Sequence, residues 1–223
     1  MSISIAIDGP SGAGKSTLAK RLAAELGFIY VDTGAMYRSI GLFVMQNGRD
    51  PHDAAAVEAL LPQIQLEAKP LPGGQRMLLN GQDVTEEVRR EEVGMAASAV
   101  SSQPVVRAFL LDMQRRMAAS QNVLMDGRDI GTGVLPDATV KVFLTAAPEA
   151  RALRRMKELE EKGQGRPFEE VLADVKLRDE QDSTRATAPL KQADDAILLD
   201  TTELDFEQSY EHLRDIVVRK AGL

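Results

Sequence analysis

A glycine-rich segment that joins an apolar run to a helical pattern constrains the fold of this chain more than any other feature. Residues 9–16 read GPSGAGKS and fit the pattern G-x-x-x-x-G-K-[ST]. The apolar residues 3–7 precede this segment, and Leu18, Leu22 and Leu26 follow it at a spacing of four, with Gly27 placed to end the helix. A strand, a glycine loop and a helix in this order predict an α/β fold with the loop at the carboxyl edge of a sheet.

The same segment predicts a binding site for a nucleoside triphosphate. Its glycines allow backbone N–H groups to turn towards an anion, and the helix that follows adds a partial positive charge. Lys15 can reach the terminal phosphates, and the hydroxyl of Ser16 can bind Mg²⁺. A glycine-rich turn with an incidental lysine is the alternative, but the strand before it and the helix after it favour the phosphate site.

Four further apolar runs predict the remaining strands of the sheet, at residues 28–31, 123–125, 140–144 and 196–199. Each run is continuously apolar and ends in a polar turn, which is typical of buried parallel strands. Helical patterns lie between the runs, and the last one carries Phe206, Tyr210, Leu213 and Val217 behind a candidate N-cap, Asp205. We therefore predict a five-stranded parallel sheet with helices on both faces.

Residues 62–98 interrupt this alternation of strands and helices. Apolar and polar residues alternate at 64–67, turn-forming residues cover 70–74, and residues 77–79 run into Asn80-Gly81. We predict a small antiparallel insert, which leads into a long helical stretch that carries Ser98 and Arg107. The insert is either a solvated decoration or a flap over a substrate.

Composition excludes several classes of protein. The 34 acidic residues outnumber the 27 basic ones, which argues against a protein that coats nucleic acid. The 223 residues include no cysteine and two histidines, so disulfides, thiolate catalysis and zinc-thiolate sites are excluded, and a reducing cytoplasm is favoured. We see no secretory signal, and the longest apolar runs are far shorter than the ~20 residues of a membrane span.

Charged residues end the predicted strand at 123–125. Asp126 stands where a Walker-B acid lies near the metal of a triphosphate site. The following Arg128 and Asp129 lie at the carboxyl edge of the sheet, where open α/β folds bind ligands, and the arginine suits a second phosphate. The alternative is a strand-ending turn with a surface ion pair.

Two helices carry further candidate groups. After the second strand, Thr33 is placed to cap a helix whose first turns carry Tyr37 and Arg38. Later in the chain, the spacing of Arg178, Asp182 and Arg185 places all three on one helical face, where solvated salt bridges are the ordinary explanation.

A basic helix precedes a glycine-containing segment, and together they suit a closing lid. Arg151, Arg154 and Arg155 share one helical face, and Gly163-Gln164-Gly165 follow. A lid of this kind would bring arginines to a transferring phosphoryl group and exclude water. An exposed amphipathic helix that happens to be basic is the alternative.

These motifs together resemble the bacterial-type cytidylate kinases, within the nucleoside monophosphate kinase family. The resemblance spans almost the whole chain and rests on the segments IDGPSGAGKS at 7–16, DTGAMYR at 32–38, DGRDIG at 126–131, RD at 178–179 with Asp182 and Arg185, and APL at 188–190. It implies a P-loop nucleoside monophosphate kinase fold, with a core of residues 1–61 and 99–223, a helical lid around 150–170, and an acceptor-binding insert of residues 62–98.

The resemblance also implies a role for each matching residue. Mg²⁺ and ATP would be held by the loop, with Ser16 as the metal ligand: Gly9, Pro10, Ser11, Gly12, Ala13, Gly14, Lys15, Ser16 and Thr17. CMP or dCMP would be the acceptor, and its binding residues would be Thr33, Tyr37, Arg38, Ser98, Arg107, Arg128, Asp129, Arg178, Asp182 and Arg185. Among them, Ser98, Arg107 and Asp129 would read the cytosine. Phosphoryl transfer would depend on Lys15, Arg128, Arg154 and Arg185.

Two alternative functions stay open at this point. Another small-molecule P-loop kinase, for UMP or a different acceptor, would use the same loop, and a nucleotide-dependent switch would bind the triphosphate without an acceptor. The N-K-x-D signature of guanine-specific switches is missing from the sequence. We expect a cytoplasmic monomer that acts on small molecules, without nucleic-acid or membrane partners.

Overall fold

A computed structural model describes residues 2–71, 74–161 and 163–223. Pro72 and Gly73 of the predicted turn at 70–74 lie outside the described residues. Met1 also lies outside them, and so does Lys162, which belongs to the predicted lid. Across the described residues, no helix is long and apolar enough to span a bilayer.

Within the described residues, five strands form one parallel sheet in the order β2-β6-β1-β7-β8, which confirms the predicted sheet. The strands are β1 (Ser4–Asp8), β2 (Ile29–Asp32), β6 (Val123–Gly127), β7 (Val140–Thr145) and β8 (Ile197–Asp200). Successive residues of β1 face opposite sides of the sheet: Ile5 and Ile7 pack in one apolar cluster and Ala6 in another. Because the strands are parallel, their carboxyl ends lie at the same edge.

Helices cover both faces of this sheet. They are α1 (Lys15–Leu26), α2 (Thr33–Gln46), α3 (Ala54–Leu60), α4 (Glu91–Ser101), α5 (Pro104–Ser120), α6 (Pro148–Glu161), α7 (Phe168–Thr184) and α8 (Phe206–Ala221). Helices α1 and α8 pack on the face of Ile5 and Ile7, whereas α5 packs on the face of Ala6. Helix α1 ends, as predicted, at Gly27 in the left-handed conformation, and Asp205 caps α8 in a capping box with Gln208.

The prediction that Thr33 caps α2 is wrong. The N-cap is Asp32, whose carboxylate accepts a hydrogen bond from the backbone N–H of Ala35. Thr33 is the first helical residue, and its hydroxyl donates to the carbonyl of Asp126 at the end of β6. The Thr33 hydroxyl, which the sequence predicts as a helix cap, therefore makes a tertiary contact with β6 instead.

The predicted insert is a three-stranded antiparallel sheet of β3 (Leu66–Leu71), β4 (Gly74–Leu79) and β5 (Gln82–Asp83). Strands β3 and β4 extend further than predicted, because the ladder reaches the pair Leu71 and Gly74. The helical stretch that follows is two helices rather than one: α4 ends before Gln103, and Pro104 starts α5. The insert shares its apolar core with α2, which fixes it beside the carboxyl edge of the main sheet.

Helices α6 and α7 pack against each other around a small core of Ala152, Leu159, Val171 and Val175. The three basic residues of α6 have different partners, and they do not form the exposed basic face of the alternative interpretation. Arg151 is buried, Arg154 donates to Thr201, and Arg155 pairs with Glu158. Arg185 does not share a helical face with Arg178 and Asp182, because α7 ends at Thr184 and Arg185 has extended backbone angles.

Candidate active site

The glycine loop follows β1 at the centre of the sheet edge. Gly9 has φ of 150°, and a Cβ atom added there would lie 1.9 Å from the carbonyl oxygen of Leu144 in β7. A side chain at this position is excluded, because the loop leaves the strand in close contact with its neighbour. Gly14 caps α1 in the left-handed region, so the loop ends on a helix N-terminus.

Three polar side chains meet beneath the loop. The hydroxyl of Ser16 donates to Asp126 Oδ2 at 2.6 Å, and Lys15 Nζ donates to the carbonyl of Pro10 at 2.7 Å. Burial, and the nearby Arg128, lower the pKa of Lys15 to about 7. Burial, and the nearby Asp32, raise the pKa of Asp126 to about 6. Burial makes both charges costly, and a ligand that carries charge would offset this cost.

The chemistry of this pair fits a magnesium ion. Within the described residues, no three His, Asp or Glu side chains form a metal cluster. Mg²⁺ does not need one, because it usually keeps several waters and takes one or two protein oxygens together with substrate phosphates. The Ser16 hydroxyl and the Asp126 carboxylate are hard oxygen donors at the foot of the phosphate loop. They are the residues that would hold the ion.

Arginines from three segments lie close together, and one of them, Arg128, is next to Lys15. Arg128 Nε donates to Asp182 Oδ2 at 2.7 Å, and its charge contributes to the lowered pKa of Lys15. Arg38 of α2 and Arg178 of α7 lie side by side across Gly94, where an added Cβ would be 3.3 Å from Arg38 Nη1 and 3.6 Å from Arg178 Nη2.

Positive charges outnumber negative charges in this cluster. Burial, and the nearby Arg178, lower the pKa of Arg38 to about 10. Burial opposes the ionisation of Asp182, but Arg128, Arg185 and Arg178 together outweigh burial, and the pKa of this carboxyl lies below its usual value. Asp182 thus faces the guanidinium groups of Arg128, Arg178 and Arg185, and a bound dianion would relieve their mutual repulsion.

A second polar group lies on the side of α5. Arg107 forms a buried ion pair with Asp129, donates to the carbonyl of Ser101 at 3.2 Å, and stands 5.5 Å from the centre of the Tyr37 ring. Arg185 donates to the hydroxyl of Ser101 at 3.3 Å. The arrangement combines an aromatic face with donors and acceptors that are held in place, as a planar heterocycle requires.

Arg185 is buried and has a free hydrogen-bonding group. Its Nη2 lies 3.9 Å from Asp129 Oδ1 and makes no hydrogen bond within the described part of the chain. Burial, and the nearby Arg107, lower the pKa of Arg185. An unpaired buried guanidinium N–H costs free energy unless a ligand accepts its hydrogen bond.

The side chains of two predicted site residues bond to residues outside these groups. Ser98 lies on α4 at the wall of a cleft of about 530 Å³, 3.4 Å from Gln181 and adjacent to Asp182 and Arg185 in the lining. Arg154 is not brought to the arginine cluster, because its guanidinium donates to the carbonyl of Thr201 at 2.6 Å.

The structure adds residues that the sequence did not single out. Asp8 accepts from the N–H groups of Ile130 and Gly131 at 2.7 Å each, and burial raises its pKa to about 6. Arg89 of the insert pairs with Asp32 at 2.8 Å and so ties the insert to the main sheet. Asp8 directly precedes the glycine loop, and this position could have identified it as a site residue. No feature of the neighbouring sequence sets Arg89 apart from other surface arginines.

The central parallel sheet, the phosphate loop with its lysine and acid, and the opposing arginines define a P-loop kinase. Comparison with known proteins gives the family. The cytidylate kinase family model matches residues 5–219. A cytidylate kinase of Caldicellulosiruptor bescii is 50% identical over 206 residues, which are 92% of this chain and 91% of that protein. One of Mycobacterium leprae is 48% identical over 221 residues, 99% of this chain and 97% of that protein. The chain belongs to the cytidylate kinase family.

A solved structure supports the fold alone. An uncharacterised protein from Eubacterium ventriosum superposes with a TM-score of 0.53 at 14% sequence identity, covering 100% of this chain and 99% of that one. The family assignment therefore rests on the sequence relatives, and the architecture on the structure of the chain itself.

Proposed function

We propose that this enzyme transfers the γ-phosphoryl group of ATP to CMP or dCMP and gives ADP with CDP or dCDP. The observation that carries the proposal is the grouping of Arg38 and Arg178 around Arg128, which lies next to Lys15. One triphosphate at the glycine loop accounts for Lys15 and Ser16. The additional buried guanidinium groups require a second anion, which the phosphate of a nucleoside monophosphate supplies.

Positioning and charge neutralisation account for the transfer without a general base. The acceptor phosphate has a second pKa of about 6 and is mostly ionised at neutral pH, so its oxygen is already nucleophilic. Lys15 would hold the donor phosphates, while Arg38, Arg128 and Arg185 would hold the acceptor phosphate in line. A magnesium ion at Ser16 and Asp126, when bound, would neutralise charge on the donor phosphates.

The polar group around Arg107 suits cytosine. This base offers an exocyclic amine as donor, with acceptors at its ring nitrogen and carbonyl. Asp129, paired with Arg107, places a carboxylate acceptor beside a guanidinium donor. Uracil reverses part of this pattern, and each site group left unpaired costs about 1–3 kcal/mol. A preference for cytosine follows. Arg178 and Asp182 would meet the ribose or the phosphate, with Thr33, Tyr37 and Ser98 completing the acceptor site.

The remaining parts of the proposal concern closure and cell context. The hairpin of α6 and α7 would act as the lid that excludes water, and the insert of β3 to β5 would cover the acceptor. Arg154 would reach the phosphates only after a change of its contact with Thr201. The enzyme would work as a monomer in the cytoplasm on small molecules, without nucleic acid.

A coupled ADP-release assay with five acceptors tests the function. We expect saturable turnover with CMP and dCMP, slower turnover with UMP, and none above background with AMP or shikimate. Similar rates with AMP and CMP would remove the cytosine assignment, and nucleotide hydrolysis without any acceptor would indicate a switch.

The base-reading group is tested with a matched pair of variants. Asp129→Ala should reduce the CMP-to-UMP ratio of kcat/KM by at least about tenfold, because one buried acceptor is worth 1–3 kcal/mol. The KM for ATP should change much less. Asp112→Ala, which removes an exposed carboxylate on α5, is the control. An unchanged base preference in Asp129→Ala would contradict the role of this residue.

A further inference from the structure

One buried arginine touches the phosphate loop but belongs to none of the groups above. Arg151 lies in the first turn of α6, and its side chain is 3% exposed. Its Nε donates to the carbonyl of Ala146 at 2.8 Å, and its Nη1 donates to the carbonyl of Ser11 at 3.1 Å. The same guanidinium forms a two-point ion pair with Asp179 of α7. Arg151 therefore connects the segment after β7, the phosphate loop and α7.

The contact with Ser11 determines how one peptide unit of the loop is oriented. In a planar trans peptide the carbonyl and the following N–H point in opposite directions. Because the Ser11 carbonyl faces Arg151, the N–H of Gly12 faces away from it. Helix α6 packs closely here, since a Cβ atom on Gly12 would be 3.4 Å from Arg151 Cβ.

Stability alone does not account for a guanidinium in this position. A buried ion pair contributes little compared with apolar side chains of similar volume, since desolvation offsets the attraction. Leucine or methionine would fill the same space between α6 and α7. An apolar side chain could not donate to the Ser11 carbonyl, and the hydrogen bond that holds this peptide unit would be lost.

We infer that Arg151 is a positioning residue for the donor nucleotide: it pins the Ser11 carbonyl so that the Gly12 N–H is directed to the phosphates of a bound nucleoside triphosphate. Asp179 orients the guanidinium and is subsidiary. The inference rests on the proposed function only in taking a triphosphate as the ligand of the loop, and it requires neither CMP nor a particular base.

Calorimetric titration of the full chain with ATP, in the absence of any acceptor, tests this. Arg151→Lys should weaken ATP binding about tenfold, because a lysine ammonium cannot reproduce the forked contacts and one charge-assisted hydrogen bond is lost. The KM for CMP should change by less than about threefold, since the acceptor groups are untouched. Asp179→Asn keeps an acceptor for Arg151, and its affinity for ATP should fall by less than about threefold. Arg116→Lys, on the exposed surface of α5, controls for the exchange itself.

The outcomes separate this inference from a purely structural role and from the proposed function. A folded Arg151→Lys variant with unchanged ATP affinity overturns it, and so does an equal loss for ATP and CMP. If Arg151→Lys does not fold, the double variant Arg151→Met with Asp179→Asn removes both charges together, and the same loss of ATP affinity is expected. Wild-type protein that binds ATP but does not phosphorylate CMP would contradict the proposed function alone.

Discussion

Gly9→Ala should disrupt both the sheet and the phosphate loop. The new Cβ would lie 1.9 Å from the carbonyl oxygen of Leu144 and 2.9 Å from its carbon, so β1 and β7 must separate. The register pairs Asp8 with Phe143 directly beside this contact. Overpacking costs about 1–3 kcal/mol and a backbone conformation reserved for glycine about the same, so we expect the free energy of unfolding to fall by about 2–6 kcal/mol. Urea denaturation measures this loss.

Gly48→Ala is the matched control. Gly48 also has positive φ, 63°, but a Cβ atom there meets nothing within 4 Å. Only backbone strain remains, and we expect a loss of about 1 kcal/mol with unchanged ATP affinity. ATP binding by Gly9→Ala should be lost even at temperatures where the variant stays folded, because the loop backbone is displaced. Equal unfolding free energies for the two variants would refute the steric argument.

Three further predictions concern single side chains. Arg185→Ala should lower kcat by about 10³ or more in the coupled assay, with a change of unfolding free energy within about 1 kcal/mol, because loss of its hydrogen bonds is offset by removal of a buried cation. Asp126→Asn should abolish turnover but raise the unfolding free energy by about 2–3 kcal/mol at pH 8. The reason is that the pKa of Asp126 is about 6 in the folded protein and 3.8 in the unfolded chain, so the charged carboxylate destabilises the folded protein above pH 6. This gain in stability should shrink as the pH falls from 6 towards 4. Asp205→Ala should lower the unfolding free energy by about 1 kcal/mol through loss of the α8 cap.

Each of these has an outcome that contradicts it. A large fall in stability of Arg185→Ala would indicate a structural salt bridge rather than a ligand-binding group. An unfolding free energy of Asp126→Asn that does not exceed wild type at pH 8 would show that burial of the carboxylate does not destabilise the folded protein. Asp205→Ala with wild-type stability would show that α8 does not depend on its capping box.

Much of the site could be placed from the sequence because its signals are local. The glycine loop carries its own turn chemistry, and the strand before it and the helix after it have distinct periods. Polar residues that end parallel strands are brought to one edge by the sheet itself, which is why Asp126 and Arg128 could be expected near Lys15. Such inferences need only the order of elements and the direction of the strands.

The errors share one physical origin. Thr33 and Asp32 both suit a helix cap. Asp32 is the cap, and the Thr33 hydroxyl donates instead to the carbonyl of Asp126, which is close only in the folded chain. Arg185 was placed on a helical face by its spacing, but α7 ends one residue earlier. The basic residues of α6 have similar local sequence yet reach different partners. Side-chain partners depend on contacts between distant segments, and local periodicity does not encode them.

The sequence was sufficient to predict the parallel sheet, the phosphate loop, the end of α1 and the cap of α8, since these follow from periodicity and from the conformations that glycine and capping residues allow. The tertiary structure alone decided that Arg151 lies under the phosphate loop, that Arg154 turns to Thr201, and that Arg89 ties the insert to Asp32. A guanidinium can bond to any carbonyl or carboxylate within reach, and folding determines which of these acceptors it meets.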